Sequence, residues 1–226
     1  MPDRDLSPTS PRLDEHIVYA GMTRSGKTTA ALDMLSRRLT IPWLIVDHKR
    51  EPHLKKLPHE LWKSVPRFLP DRPGLYRMVF DQSREGRGEL EELLTKIFRR
   101  HGERRANFGV FIDEGHFVGP SLAVRNIMVA GAGRHVPMMW ISQRAQDIDP
   151  FIWSQAQYFR VFKIRGINDE RRFNDNFPIR YYEPGPYCSH YFDGRQGQYF
   201  PLGPSGDLNT TIKRIDDVLG TKYNFI

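Results

Sequence analysis

The sequence has few cysteines and no long apolar run. Its single cysteine, Cys188, excludes an internal disulfide framework and any zinc site built from cysteines, and it is typical of a cytoplasmic protein. No stretch reaches the roughly eighteen consecutive apolar residues of a membrane-spanning helix. The polar, proline-rich start, MPDRDLSPTSPRLDE, is unlike a signal peptide. We therefore expect a cytoplasmic protein with no transmembrane segment of its own.

The composition is that of a soluble globular protein, since 39% of the 226 residues are hydrophobic and 27% are charged. This length is enough for one α/β domain with a hydrophobic core. We expect residues 1–14 to form a flexible N-terminal arm and residues 15–226 to form a single domain. The net charge of +7 favours a polyanionic partner such as nucleic acid, although a protein of a basic host proteome or of a virion would carry the same charge.

Short apolar runs alternate with helical patterns along most of the chain. The spacing of apolar residues predicts helices over residues 27–39 and 88–102. Continuous apolar strands separated by helices predict an α/β fold with a mainly parallel sheet and helices on both faces. The six predicted strands are residues 16–20, 42–47, 74–81, 108–114, 136–143 and 157–164.

The C-terminal part has a different pattern. Residues 187–203, YCSHYFDGRQGQYFPLG, alternate between polar and apolar and turn at Asp193–Gly194. This pattern predicts a β-hairpin at the edge of the sheet. The segment TTIKRIDDVLG after it predicts a short closing helix or a tail.

A phosphate-binding pattern lies between the first predicted strand and the first predicted helix. Gly21, four further residues, Gly26, Lys27 and Thr28 match G-x-x-x-x-G-K-[ST]. Such a loop directs backbone N–H groups at phosphates. Its lysine contacts the β- and γ-phosphates, and its threonine hydroxyl binds Mg²⁺. We therefore expect ATP and Mg²⁺ as cofactors, with the nucleotide held by Gly21, Thr23, Arg24, Ser25, Gly26, Lys27, Thr28 and Thr29.

Two acids follow the fourth predicted strand in FGVFIDEGH. Asp113, at the end of a buried strand beside the phosphate loop, is placed to hold Mg²⁺ through its water, together with Thr28. Glu114 is placed to orient and deprotonate an attacking water. A kinase must exclude water, whereas a hydrolase needs a residue that activates it, so Glu114 favours hydrolysis over transfer to a substrate.

Gln143 ends the next predicted strand, in WISQR. We expect it at the same edge of the sheet as Asp113, between the two nucleotide motifs. A glutamine there can sense the γ-phosphate or orient the lytic water.

Four motifs together resemble the FtsK/HerA superfamily of DNA-pumping ATPases. They are the phosphate loop (Walker A), VDHKRE after the second predicted strand, FIDEGH (Walker B) and GAGRHVPMMWISQR. The match spans roughly residues 16–175, and the chain holds little besides this motor region. It is in this respect similar to the genome-packaging ATPases of tailless, membrane-containing double-stranded-DNA viruses. The matching family positions are Asp47 with Lys49, Asp113 with Glu114, Arg134 and Gln143, and Arg24 stands where the family usually has glycine.

The resemblance implies a RecA-like P-loop NTPase that forms a homo-oligomeric ring, a hexamer, and hydrolyses Mg·ATP at its subunit interfaces. It implies a motor protein that packages double-stranded DNA into a preformed capsid, with capsid or vertex proteins and virion membrane proteins as partners. The packaging vertex of the virion is then a second location besides the host cytoplasm. Ring ATPases usually need an arginine from the neighbouring subunit. The family match nominates Arg134 as this trans arginine finger and Arg171 as second choice, with Arg144 and Arg172 as further alternatives.

Three basic segments are candidates for DNA contact, because lysine and arginine contacts to phosphates dominate non-specific DNA binding. They are residues 83–88, residues 98–105 and residues 117–125. Two other functional classes stay open. One is an ATPase of plasmid transfer or of filamentous-phage assembly, and the other is a small P-loop kinase.

Overall fold

The computed structural model describes residues 11–104, 107–119 and 121–222. Most of the predicted N-terminal arm, residues 1–10, lies outside this part of the chain, and the division into an arm and one domain stays a prediction. The strands are β1 (Ile17–Ala20), β2 (Pro42–Val46), β3 (Glu60–Trp62), β4 (Gly74–Met78), β5 (Gly109–Ile112), β6 (Met138–Ser142), β7 (Tyr158–Val161), β8 (Ser189–Asp193) and β9 (Gln198–Leu202). The helices are α1 (Lys27–Ser36), α2 (Pro52–Lys55), α3 (Arg84–Arg104), α4 (Leu122–Ala130), α5 (Pro150–Gln155), α6 (Ile167–Asn176) and α7 (Leu208–Lys222).

The strands form one sheet in the order β3-β4-β2-β5-β6-β1-β7-β8-β9. Strands β1 to β7 are parallel, and β8 and β9 are added antiparallel at one end. The parallel register pairs Ile17 of β1 with Met139 of β6 on one side and with Tyr158 of β7 on the other. The predicted mainly parallel sheet and its C-terminal edge hairpin are thereby confirmed.

The central strands are buried on both faces, which explains why they are continuous apolar runs. One core cluster lies on the face that packs against α3 and α4, and Trp140 belongs to it. The other lies on the face that packs against α1 and α7, and Trp43 belongs to it. Side chains of one strand alternate between the two clusters, as Val18 and Tyr19 do, because successive residues of a strand point to opposite faces.

Helices α4 and α5 begin where their sequences supply side-chain caps. The Ser121 side chain accepts a hydrogen bond from the Val124 N–H at the start of α4. Asp149 does the same for Phe151 at the start of α5, and Pro150 occupies the first turn. Of the predicted helices, 88–102 extends further towards the N-terminus, because Ser83 accepts from the Gly86 N–H ahead of its apolar stripe. The predicted closing segment is a full helix, α7.

The topology gives the sheet two functionally different edges. The phosphate loop, the acids after β5 and the residues after β6 all follow carboxyl ends of parallel strands, so they meet at one edge. Strand β6 lies directly between β1 and β5. The end of α3 and the residues before β6 lie at the opposite edge. None of the helices within the described residues is long and apolar enough to cross a membrane.

Candidate active site

The phosphate loop connects β1 to α1 and requires glycine at two positions. Gly21 has φ +146°, and a Cβ atom there would lie 2.7 Å from Cβ of Phe162. Gly26 has φ +100°, and a Cβ atom there would touch the rings of Phe162 and Tyr187 at 3.5 Å. Both positions therefore demand a backbone conformation that side chains rarely adopt, and Gly21 in addition leaves no space for a Cβ atom. The Met22 N–H donates to the Lys163 carbonyl at 2.8 Å, which ties the loop to the residues after β7.

Lys27 lies at the base of the loop and is buried. Its ammonium donates to the Met22 carbonyl at 2.8 Å, so the side chain folds back into the loop. Burial lowers the pKa of Lys27 to about 8, while Glu114 and Asp113 act in the opposite direction. A phosphate group above the loop would supply the negative charge that this buried cation lacks.

Asp113 follows β5, and its carboxylate is buried in a cleft of about 320 Å³ that Lys27 and Thr28 also line. Burial, together with the nearby carboxylates Glu114 and Glu51, raises the pKa of Asp113 to about 7. A buried carboxylate next to other carboxylates favours the binding of a cation. Mg²⁺ needs only one or two protein oxygens besides phosphate and water. Asp113 and Thr28 fit this role, as predicted, and their assignment stays a proposal.

Glu114 has an unusual backbone and a well-held side chain. Its φ is +54°, in the left-handed region that is strained for a glutamate. This conformation turns the carboxylate back into the cleft, where its Oε1 accepts from the amide of Gln143. The ammonium of Lys49 lies 3.2 Å from the same oxygen. Oε2 is buried without a hydrogen-bond partner among the described residues, although Nδ1 of His116 lies 3.4 Å away.

Gln143 therefore lies where the sequence predicts it, at the carboxyl end of β6 between the phosphate loop and the acids. Its contact with Glu114 places an amide next to the expected general base. An amide so placed can orient the water that the carboxylate would deprotonate.

Asp47 and Lys49 have separate roles in this arrangement. Asp47 is buried and accepts two hydrogen bonds from the guanidinium of Arg77, at 2.9 and 2.6 Å, across strands β2 and β4. Its other oxygen accepts from the Glu51 N–H at 3.1 Å. Asp47 therefore fixes the position of the segment that includes Lys49, so that Lys49 can contact Glu114. Asp47 itself does not line the cleft.

The two nominated arginines lie at different edges of the sheet. Arg134 ends a 3₁₀ turn before β6, is exposed, and lies 4.8 Å from the ring centre of Phe98. Eight residues separate it from Gln143, and the five of them that form β6 span roughly 16 Å at strand spacing. Arg171 lies on α6, which follows β7 at the edge of the cleft itself.

Two of the three segments predicted to contact DNA come together in the fold. Residues 83–88 and 117–125 border one cleft of about 450 Å³, which Arg87, Val118 and Gly119 help to line. The third segment, 98–105, ends α3 towards the opposite edge. Its Arg100 pairs with Asp71 at 3.3 Å, and residue 105 lies outside the described residues.

The cleft has further lining residues that the motifs do not identify. Glu51 and His53 come from the segment after β2, and Leu208 is the first residue of α7. The VDHKRE motif pointed to this segment through the resemblance, but no local pattern indicated that Glu51 faces the phosphate loop. Leu208 is 180 positions after Thr28 in the numbering, so only the folded chain brings them together.

Comparison with known proteins gives relatives with the same architecture. No protein-family model matches the chain. The DNA packaging ATPase P9 of Enterobacteria phage PRD1 is 24% identical over 168 residues, which are 73% of this chain and 71% of that protein. The genome packaging NTPase B204 of Sulfolobus turreted icosahedral virus 2, solved in complex with ATP-gammaS, has a TM-score of 0.70 at 15% identity and covers 86% of this chain and 99% of its own. EssC (ATPases 2 and 3) from Geobacillus thermodenitrificans has a TM-score of 0.61 at 12% identity, over 92% of this chain and 45% of that chain. The predicted fold and the resemblance to packaging ATPases of the FtsK/HerA type are confirmed.

Proposed function

We propose that this protein hydrolyses Mg·ATP to move double-stranded DNA into a preformed viral capsid, as a ring with active sites at its subunit interfaces. The prediction of an ATP-hydrolysing enzyme is confirmed by relatives that are named ATPase and NTPase. The observation that carries the rest is the convergence of Lys27, Asp113, Glu114 and Gln143 on one cleft, while Arg134 lies at the other edge of the sheet.

The arrangement of the cleft fits hydrolysis. Lys27 and the backbone N–H groups of the loop bind the phosphates, and Thr28 and Asp113 hold Mg²⁺, which supplies charge neutralisation on the transferred group. Glu114 accepts a proton from the water that attacks the γ-phosphorus, and Gln143 orients that water. Lys49 and Gln143 hold the carboxylate of Glu114 in place before the water arrives.

The position of Arg134 supports a ring. Arg134 and Gln143 lie beyond opposite ends of β6, a strand of roughly 16 Å, so Arg134 cannot reach its own γ-phosphate. It is exposed, so a neighbouring subunit can receive it. Arg171, at the edge of its own cleft, is the weaker candidate for action in trans. We propose a hexamer, as the family resemblance implies.

The proposed partners follow from charge and from the relatives. The net charge is +7, and residues 83–88 and 117–125 place Arg87 and Arg125 beside the edge that carries the acids. We propose that these two segments contact DNA phosphates. The names of the relatives, a DNA packaging ATPase and a genome packaging NTPase, support capsid or vertex proteins as further partners and the host cytoplasm and packaging vertex as locations.

The test is ATP turnover with and without double-stranded DNA, on protein whose oligomeric state is measured in the same buffer. We expect phosphate release without any acceptor molecule, and we expect DNA to stimulate it. Phosphate transfer to a small molecule would instead identify a kinase. Turnover that DNA leaves unchanged in an assembled ring would contradict a DNA motor.

A further inference from the structure

The cleft fixes the orientation of a bound nucleoside triphosphate. The residues that act on the γ-phosphate follow β5 and β6, which lie on one side of β1. The nucleotide base must therefore lie on the other side of β1, towards β7 and β8. This inference rests on the proposed ATPase function, because that function places the γ-phosphate beside the residues that follow β5 and β6.

Tyr187 lies on the side where the base is expected. It comes two residues before β8, whose first residues lie beside the carboxyl end of β7. A Cβ atom on Gly26 of the phosphate loop would lie 3.5 Å from Cδ1 of Tyr187, so the ring borders the loop. Although it is a large aromatic side chain, 58% of Tyr187 is exposed.

The backbone holds this exposed ring in a strained conformation. The Cys188 N–H donates to the Gly185 carbonyl at 3.0 Å and closes a turn with Pro186 at its second position. Tyr187 is at the third position with φ +60°, where such a turn ordinarily has glycine. Strained residues of this kind persist where the surrounding structure needs the side chain, and they cluster at ligand sites.

We propose that Tyr187 is the base-stacking residue of the nucleotide site. The ligand is a nucleoside triphosphate, and the interaction is stacking of the base on the tyrosine ring. Stacking accepts any base because every base has a π-face, so Tyr187 contributes affinity and only weak base preference.

The decisive variant is Tyr187→Gly. Glycine removes the ring and relieves the strain at φ +60°, so the protein should fold at least as stably as wild type. Binding of ATP-γ-S and of inorganic tripolyphosphate is measured by calorimetry on the full chain with Mg²⁺. We expect Tyr187→Gly to weaken ATP-γ-S about ten-fold and to leave tripolyphosphate, which has no base, within two-fold of wild type. Tyr187→Phe, which keeps an aromatic ring, should bind both as wild type does.

Tyr182→Ala is the matched control. Tyr182 lies in the same segment between α6 and β8 and is 51% exposed, but its hydroxyl forms a hydrogen bond with the hydroxyl of Tyr199, away from the phosphate loop. It should leave both affinities unchanged. Equal ATP-γ-S affinity in wild type and Tyr187→Gly, or an equal loss for both ligands, would overturn the stacking role while the proposed ATPase function stands. A wild-type protein that binds neither ligand would overturn the proposed function and the stacking role together.

Discussion

At the scale of single residues, Glu114 combines strain with the position that hydrolysis needs. A glutamate at φ +54° persists only if neighbouring contacts hold it, and Gln143 and Lys49 both do so. The residues that sequence motifs identified are those whose spacing the mechanism dictates, such as Lys27 next to Thr28 and Asp113 next to Glu114. The contact between Lys49 and Glu114 joins two strands, and no local pattern predicts it.

We expect Glu114→Gln to bind ATP as wild type does and to lose at least a hundred-fold in turnover. Glutamine keeps the shape of the side chain but cannot take the proton of the attacking water, and general-base catalysis contributes about 10² to 10⁴ in rate. Nucleotide affinity and phosphate release are measured on the same preparation. Glu183→Gln is the control, since Glu183 is exposed and pairs with Lys163. Turnover within ten-fold of wild type in Glu114→Gln would contradict the general-base assignment.

His16 gives a residue-scale prediction about pH. The imidazole is fully buried, and its Nδ1 accepts from the Met138 N–H at 2.9 Å. Burial, together with the nearby Arg38, lowers the pKa of His16 from 6.5 to about 4. The unfolded chain takes up this proton below about pH 6.5 and the folded chain only near pH 4, so the folded state loses stability as the pH falls through this window.

We expect His16→Asn to remove this pH dependence, because the asparagine carbonyl can accept from the same N–H and does not titrate. Between pH 7.5 and pH 5.0, wild type should lose about 2 kcal/mol more unfolding free energy than the variant, from roughly 1.4 kcal/mol per pKa unit. Urea unfolding at both pH values measures the difference. Equal losses in the two proteins would show that His16 is not protonated on unfolding.

At the scale of elements, the sequence predicts the long buried strands well and the short elements poorly. Strand β3 has only three residues and lies at the end of the sheet. Its sequence has no continuous apolar run from which a strand could be predicted. Helices α4 to α6 were not predicted in detail, although Ser121 and the pair Asp149–Pro150 are recognisable start signals. The buried ion pair of Asp47 with Arg77 joins β2 and β4 and is visible only when the strand order is known.

We expect Asp47→Ala to destabilise the protein by about 3–5 kcal/mol, because it leaves the buried guanidinium of Arg77 without its partner. The double variant Asp47→Ala with Arg77→Met should recover a large part of this loss, since neither charge is then buried. Asp33→Ala is the matched control, because Asp33 pairs with the more exposed Arg37 and Arg214 and should cost less than about 1 kcal/mol. Chemical denaturation of the four proteins measures these differences, and equal effects of Asp47→Ala and Asp33→Ala would refute the argument.

At the scale of the whole molecule, the placement of the basic segments decides where DNA can couple to hydrolysis. Arg84 and Arg87 begin α3 at the edge that also carries the acids, and neither has an ion pair among the described residues. The sequence identified three basic segments as equal candidates. Only the topology shows that residues from 83–88 and 117–125 line the same cleft and that residues 98–104 lie apart from them.

We expect the double variant Arg84→Glu with Arg87→Glu to lose DNA stimulation while its basal ATP turnover is retained. It should also reduce the slope of DNA affinity against salt concentration, because each lost phosphate contact lowers that slope by about one. The double variant Arg180→Glu with Lys213→Glu, which makes the same charge change at two other exposed positions, is the control and should change neither quantity. An unchanged salt slope in the double variant would remove residues 83–88 from the proposed DNA contact.

Because the cleft and Arg134 lie at opposite edges of the sheet, we expect each active site of the ring to combine the cleft of one subunit with Arg134 of its neighbour. A subunit with Arg134→Ala keeps its own cleft, and a subunit with Lys27→Ala keeps its own Arg134, so each single variant should be inactive alone. Mixed rings would place an intact Arg134 beside an intact cleft at some interfaces, and we expect turnover to return to a fraction set by the mixing ratio. An arginine that stabilises the transferred phosphoryl group contributes about 10³ to 10⁵ in rate, so even a small fraction of restored interfaces is measurable. Arg180→Ala, which removes an exposed arginine that the family match does not nominate, is the control. Wild-type turnover of Arg134→Ala alone would transfer the role to another arginine, with Arg171 tested next in the same mixing experiment.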